Sequence, residues 1–349
     1  MIAVLKRNAS EADKDKVIEV IKSENFDVHP IQGVEKTIIG VLGNQDNRVK
    51  LKEKLMTMGC VEKVVVILEP YKLTSWNFKQ HKTVIDLGDG VKVGGDELTV
   101  MAGPCSVEGR EQILETARIV KAGGAQLLRG GAFKPRTSPY SFQGLGEEGL
   151  KYMAEAREET GLKIITELMD IAHIDVIMEY TDVIQIGARN MQNYSLLKAI
   201  GKLDKPVMLK RGMAATIKEW LLAAEYVMNE GNHNVILCER GVRTFGEETR
   251  NTMDLSSIPL VQQISHLPVI ADPSHGTGRW ELVTPVARAA VAVGADGIMV
   301  EVHPEPQNAL SDGPQSLKPA NYNLMMDELR AIHKTLDTFK AREKKVAFA

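Results

Sequence analysis

Cys105 closes the run Met101-Ala-Gly-Pro-Cys105-Ser, just past a short apolar stretch. Far downstream stand Pro273-Ser274-His275-Gly276, Val300-Glu301-Val302-His303 and Ser311-Asp312-Gly313. A thiolate, an imidazole and carboxylates offer sulfur, nitrogen and oxygen donors. Together they suit a divalent transition metal such as Mn, Fe, Co, Zn or Cu, and they suit Mg poorly. Period-two alternation puts Glu301 and His303 on one side of a strand, so either is a candidate ligand. A helix-capping role competes for Asp312. A small buried hydrophobe is the competing reading of Cys105, and it is the reading adopted for Cys60 and Cys238. Cys105 differs because Gly-Pro precedes it, where the backbone leaves a strand and is expected to expose the side chain.

A second set of residues carries charge. Arg129 and Lys134-Pro135-Arg136-Thr137 lie within nine residues of one another, beside Gly130 and Gly131. Arg189, Lys210, Arg211, Arg240 and Arg243 follow at the ends of later apolar runs. Arginine holds phosphate or carboxylate with two parallel hydrogen bonds, and lysine supplies a point charge. Eight cations at four such ends, in a chain of net charge −3, predict a focused positive funnel for doubly anionic substrates.

These groups need a scaffold that gathers strand ends. From residue 98 the sequence alternates strand and helix eight times. The predicted strands are 98–102, 126–129, 163–167, 183–187, 206–210, 234–239, 268–271 and 297–302. Helical patterns such as 111–122, 147–159 and 216–229 separate them. Eight β-α units predict a closed (β/α)8 barrel over 98–340 rather than an open doubly wound sheet. In such a barrel the first, seventh and eighth strand ends are neighbours, so Cys105, His275, Glu301 or His303, and Asp312 converge at one mouth.

Residues 1–70 read as a separate β-α-β-β-α-β unit of ferredoxin-like type. It has strands at 2–5, 26–31, 36–42 and 61–68, and helices at 10–23, capped by Ser10, and 47–58. Residues 71–97 form a linker containing a β-hairpin that turns at Asp89-Gly90 and is placed to plug the barrel's bottom. An amphipathic helix is expected at 322–339, and the Lys-rich tail at 341–349 is expected to fray. A chain of 349 residues is about right for a barrel of ~250 residues plus a small module. Its slightly acidic charge suggests neither a nucleic-acid nor a membrane partner. Three cysteines without paired spacing and the lack of a signal-like N-terminus point to a reducing cytoplasm.

The strand-end motifs Gly103-Pro104-Cys105-Ser106, Lys134-Pro135-Arg136-Thr137, Gly187-Ala188-Arg189, Asp272-Pro273-Ser274-His275 and Ser311-Asp312-Gly313 resemble the 3-deoxy-D-arabino-heptulosonate 7-phosphate (DAHP) synthases. The likeness is to the type I beta branch with an N-terminal ferredoxin-like domain, and it spans essentially the whole chain. It implies condensation of phosphoenolpyruvate with erythrose 4-phosphate, the first committed step toward chorismate and the aromatic amino acids. It also implies one divalent metal ion per subunit, Mn2+ ahead of Fe2+, Co2+, Zn2+ or Cd2+. By matching position the metal ligands are Cys105, His275, Glu301 and Asp312, and the match selects Glu301 over His303. Arg129, Arg189, Lys210 and Arg240 match the phosphoenolpyruvate contacts. Lys134 matches the lysine between the substrates, and Arg136 and Thr137 match the aldose-phosphate contacts. Lys134, Cys105 and His275 stand as the catalytic set, and Asp312 also counts among the substrate contacts. The resemblance further implies a homotetramer and feedback inhibition by tyrosine or phenylalanine through residues 1–70. The rival readings are an octulosonate phosphate synthase taking arabinose 5-phosphate, a Schiff-base aldolase using Lys210, and an amino-acid sensor on an inactive barrel.

Overall fold

The computed structural model describes residues 1–32, 37–42, 48–65, 70–134 and 138–347, which divide into two compact units, Met1–His81 and Lys82–Ala349.

In the first unit β1 (Ile2–Leu5), α1 (Glu11–Ser23), β2 (Asp27–Gln32), β3 (Thr37–Leu42), α2 (Arg48–Met56) and β4 (Val61–Val65) follow one another. The antiparallel sheet runs β2-β3-β1-β4, the ferredoxin-like arrangement expected. Ser10 caps α1 in a reciprocal box with Asp13. One face of the sheet buries Ala3, Leu5, Ile39 and Val41 against Val17 and Ile21 of α1 and Leu51 and Leu55 of α2. The expected loop at Gly33 lies outside the described residues.

The second unit opens with a short hairpin, β5 (Ile85–Asp86) and β6 (Lys92–Val93), paired antiparallel. Asp89 and Gly90 both have positive φ (52° and 79°), as a tight two-residue hairpin turn demands. The parallel strands follow: β7 (Thr99–Gly103), β8 (Leu127–Arg129), β9 (Lys163–Glu167), β10 (Val183–Ile186), β11 (Val207–Lys210), β12 (Val235–Glu239), β13 (Val269–Ala271) and β14 (Gly297–Glu301). β14 pairs with β7 and closes the barrel, as the eightfold alternation predicts. Each strand end falls within one residue of its expected position. The strands are apolar because both of their faces are covered. Ile85 and Val93 of the hairpin share one apolar cluster with inward residues of the barrel, including Met101, Leu127, Val183, Met208, Ile270 and Met299.

The helices that bear on the site are α3 (Arg110–Ala122), α4 (Glu147–Thr160), α5 (Ile174–Tyr180), α6 (Tyr194–Gly201), α7 (Ile217–Asn229), α8 (Ser257–Ile264), the single turn α9 (Pro273–Thr277), α10 (Trp280–Ala292) and α11 (Pro319–Ala347). The expectation of a frayed tail is corrected: α11 stays helical to Ala347. The tail's Ala, Arg, Glu and Lys residues are good helix formers. No described helix is long and apolar enough to cross a membrane.

Candidate active site

The candidate side chains emerge at or just beyond the C-terminal ends of the barrel strands, where barrels of this kind gather their chemistry. β7 ends at Gly103, whose φ is 154° and whose absent Cβ would lie 2.1 Å from the Arg129 carbonyl oxygen. Only glycine allows that passage. Beyond it the Pro104 carbonyl accepts a hydrogen bond of 2.7 Å from Arg129 Nη1, and Cys105 follows.

Three donors converge. Cys105 Sγ lies 3.3 Å from Asp312 Oδ2, and a carboxylate oxygen of Glu301 joins them with all three atoms within 4.8 Å of one another. His275 borders this cluster, with Nε2 3.4 Å from Glu301 Oε1. Its buried Nδ1 sits 2.8 Å from Asp272 Oδ2 but is not aligned for a hydrogen bond. His303 turns elsewhere. Its Nδ1 accepts from the Glu305 amide at 3.0 Å, and its Nε2 lies 3.4 Å from Glu108 Oε2.

Asp312 precedes a 3-10 turn yet caps nothing with its side chain. It adopts the left-handed region (φ 49°, ψ 31°), which is rare for a non-glycine residue and a mark of a constrained, often functional, position. The next residue, Gly313, packs its Cα so close to the Pro306 carbonyl that a Cβ would meet the oxygen at 2.2 Å.

The electrostatics of the cluster are unequal. Burial, followed by the negative field of Glu301, pushes the Cys105 thiol up to about 11 despite the nearby Lys134. Burial also disfavours ionised Asp312, but Arg250, then His275 and the Cys105 hydrogen bond, outweigh it and hold that carboxyl at about 2. Glu301 is fixed by Arg129 Nη1 at 3.0 Å and by Gln315 Nε2 at 2.6 Å. Two carboxylates around a buried thiol form a site that a divalent cation would neutralise. The S, N and O donor chemistry therefore fits a transition metal.

The expectation that Cys105 is exposed is corrected: it is 2% exposed. Lys134 reaches back over it, with Nζ 2.9 Å from its carbonyl oxygen and 3.1 Å from Sγ. Above the cluster opens a cleft of about 320 Å³ that Arg129, Lys134, Arg189, Lys210, Arg240 and Arg250 line. Arg129 Nε is buried without a hydrogen-bond partner. Burial lowers the pKa of Arg240, marking a desolvated guanidinium that an anion would stabilise. Lys210 pairs with Asp272, whose carboxyl stays well below its usual range because His275 and Lys210 overcome the effect of burial.

The predicted funnel is partly redrawn. Arg211 does not face the cleft. It is 6% exposed and bonded to Glu239 and Asp254, because strand alternation sends it to the opposite side from Lys210. Arg243 lines a separate outer pocket with Met191 and Met213. Arg136 and Thr137 lie outside the described residues. Glu167, Gln185 and Arg250 also line the cleft and were not expected. Glu167 and Gln185 sit on β9 and β10, where a strand pattern gives no hint of function. Arg250 comes from a long loop without a motif.

A family model described as "DAHP synthetase I family" matches residues 79–337, and one described as "DAHP synthase ferredoxin-like domain" matches residues 1–69. A curated relative from Thermotoga maritima, named phospho-2-dehydro-3-deoxyheptonate aldolase, is 52% identical over 332 residues, covering 95% of this chain and 97% of its own. A 2-dehydro-3-deoxyphosphooctonate aldolase from Methylobacterium radiotolerans is 34% identical over 267 residues, covering 71% of this chain and 93% of its own. The crystal structure of the Thermotoga maritima DAHP synthase is similar with a TM-score of 0.76 at 51% identity, over 96% of this chain and 97% of that one. A truncated form of the Thermotoga maritima enzyme aligns over 76% of this chain and 97% of its own, with a TM-score of 0.72 at 50% identity.

Proposed function

This chain belongs to the DAHP synthetase I family, and we propose that it condenses phosphoenolpyruvate, D-erythrose 4-phosphate and water to DAHP and inorganic phosphate with one divalent metal ion, Mn2+ by preference. The observation that carries the reading is the convergence of Cys105, Glu301 and Asp312 beneath a cleft lined by six cations.

Cys105, His275, Glu301 and Asp312 would hold the ion. When bound, the metal supplies Lewis-acid polarisation of the aldehyde oxygen. Arg129, Arg189, Lys210 and Arg240 hold the phosphate and carboxylate of phosphoenolpyruvate, while Arg136 and Thr137 hold the aldose phosphate. Asp312 adds a contact at the substrate side. The enol carbon C3 bonds to the aldehyde carbon, water adds its oxygen at C2, and the C2–O bond to phosphate breaks. Lys134 stands between the substrates and delivers a proton to the alkoxide that forms. Anion clamps of this kind supply orientation, worth at best roughly 7–11 kcal/mol of the barrier.

The octulosonate reading is less favoured. Relatives so named match only the barrel-sized part of the chain at 32–34% identity, and the Lys134-Pro135-Arg136-Thr137 segment resembles the heptulosonate enzymes. Consumption of phosphoenolpyruvate with erythrose 4-phosphate should disappear from chelator-treated protein and return with Mn2+. Consumption with arabinose 5-phosphate alone would overturn the choice of aldose.

We also assign feedback inhibition by tyrosine or phenylalanine to the first unit, in a cytoplasmic homotetramer. A chain beginning at Lys82 should turn over and ignore both amino acids. A truncated form of the Thermotoga maritima enzyme aligns with 76% of this chain, about the length that such a shortened chain keeps. Undiminished inhibition of the shortened chain would place the effector site in the barrel.

A further inference from the structure

Arg211 immediately follows Lys210, and Glu239 immediately precedes Arg240. Lys210 and Arg240 line the cleft. Their neighbours face the other way and meet behind the barrel wall, where Arg211 Nη1 donates to Glu239 Oε2 at 2.9 Å. Glu239 is fully buried. The same Nη1 donates to Asp254 Oδ2 at 2.8 Å, and Arg211 Nε donates to the Ala215 carbonyl at 2.9 Å. Glu239 Oε1 accepts the Gly241 amide at 2.7 Å, so it holds the backbone on the far side of Arg240.

One buried ion pair therefore ties the ends of β11 and β12 at the two positions adjoining the cleft cations. The backbone hydrogen bonds of the strands stop here, with the Arg211 amide bonded to the Cys238 carbonyl at 3.0 Å. The two loops meet again at the Arg243 amide and the Met213 carbonyl, 2.7 Å apart, and between these two backbone contacts the Arg211–Glu239 pair is the tie that adjoins Lys210 and Arg240. An apolar pair would fill the same space, but it would not dictate direction as a bonded guanidinium does.

We propose that Arg211 and Glu239 are a positioning pair that sets the spacing and direction of the Lys210 ammonium and the Arg240 guanidinium, and through them the grip on phosphoenolpyruvate. This rests on the proposed reading that those two cations hold phosphoenolpyruvate. The pair touches neither substrate. Its removal is expected to loosen one substrate while sparing the other and the metal.

Arg211→Lys keeps the charge and loses the fork, and Glu239→Gln keeps the shape and loses the charge. Each should weaken phosphoenolpyruvate binding by about 10- to 100-fold, read by calorimetry on Mn2+-loaded protein without the aldose. The KM for erythrose 4-phosphate and the Mn2+ content should stay within about twofold of wild type. A purely structural pair would instead lower the melting temperature and leave the phosphoenolpyruvate affinity alone. That result, or an equal rise for both substrates, overturns the proposal. Should the single variants not fold, Arg211→Met with Glu239→Leu, which removes both partners of the pair, is judged by the same affinities. Wild-type protein that binds phosphoenolpyruvate but consumes none with erythrose 4-phosphate would sink the assigned reaction, while the relative affinities still decide on the positioning pair.

Discussion

Cys105→Ala protein is expected to bind Mn2+ at least about 100-fold more weakly than wild type and to show no metal-dependent turnover. The thiol is buried and sits in the field of Glu301, so in the metal-free protein it titrates near 11 and is protonated at pH 8. A metal binds the thiolate, so loading should release about one proton per site. The sign follows: lowering the pH favours the thiol and weakens apparent metal affinity, whereas raising the pH toward 11 strengthens it. Calorimetry in two buffers of different ionisation enthalpy counts that proton, and the alanine variant should lack it. The fold should survive, because the change removes a single sulfur atom from the barrel's mouth. Near-normal turnover by a variant with no bound metal would refute the ligand assignment outright.

Lys134→Met is expected to separate binding from chemistry. Its ammonium lies 3.1 Å from Cys105 Sγ and 2.9 Å from the Cys105 carbonyl oxygen, on the cleft side of the cluster. Methionine fills much of the same volume without a charge or a proton to give. Turnover should fall by about 10²–10⁴-fold, the range for a positioned acid or base. Mn2+ stoichiometry should stay at one per chain. Loss of the cation beside the thiol should make thiolate formation harder, so metal affinity drops modestly at neutral pH. A variant with full metal content and wild-type kcat would remove Lys134 from the chemistry.

The barrel was legible because its strands are buried on both faces and read as short apolar runs between amphipathic helices. Lys163–Glu167 was placed to the residue for that reason. The cluster was legible in part through local punctuation: Gly-Pro before Cys105 and Pro-Ser before His275 mark chain leaving a strand and Gly after Asp312 marks a loop, whereas the family resemblance selected Glu301 over His303. Burial at Cys105 was not, because Gly103 folds the backbone against Arg129 and Lys134 then covers the thiol, and both partners come from another strand. Arg211 was open to a stricter reading. Alternation alone puts it opposite Lys210, so counting cations overstated the funnel. Glu167, Gln185 and Arg250 reach the cleft only through closure of the barrel and the course of a long loop, which no local pattern encodes.

The hairpin at Ile85–Asp86 and Lys92–Val93 belongs to the barrel's own apolar cluster, so the barrel carries its own floor. A gene joint at the His81–Lys82 boundary leaves that floor whole. On the proposed reading of the leading unit as the sensor, a different sensor can be joined ahead of Lys82 without cutting into that apolar cluster. A chimaera joined there should inherit a new response and keep its old chemistry, whereas a joint after Val93 should yield neither.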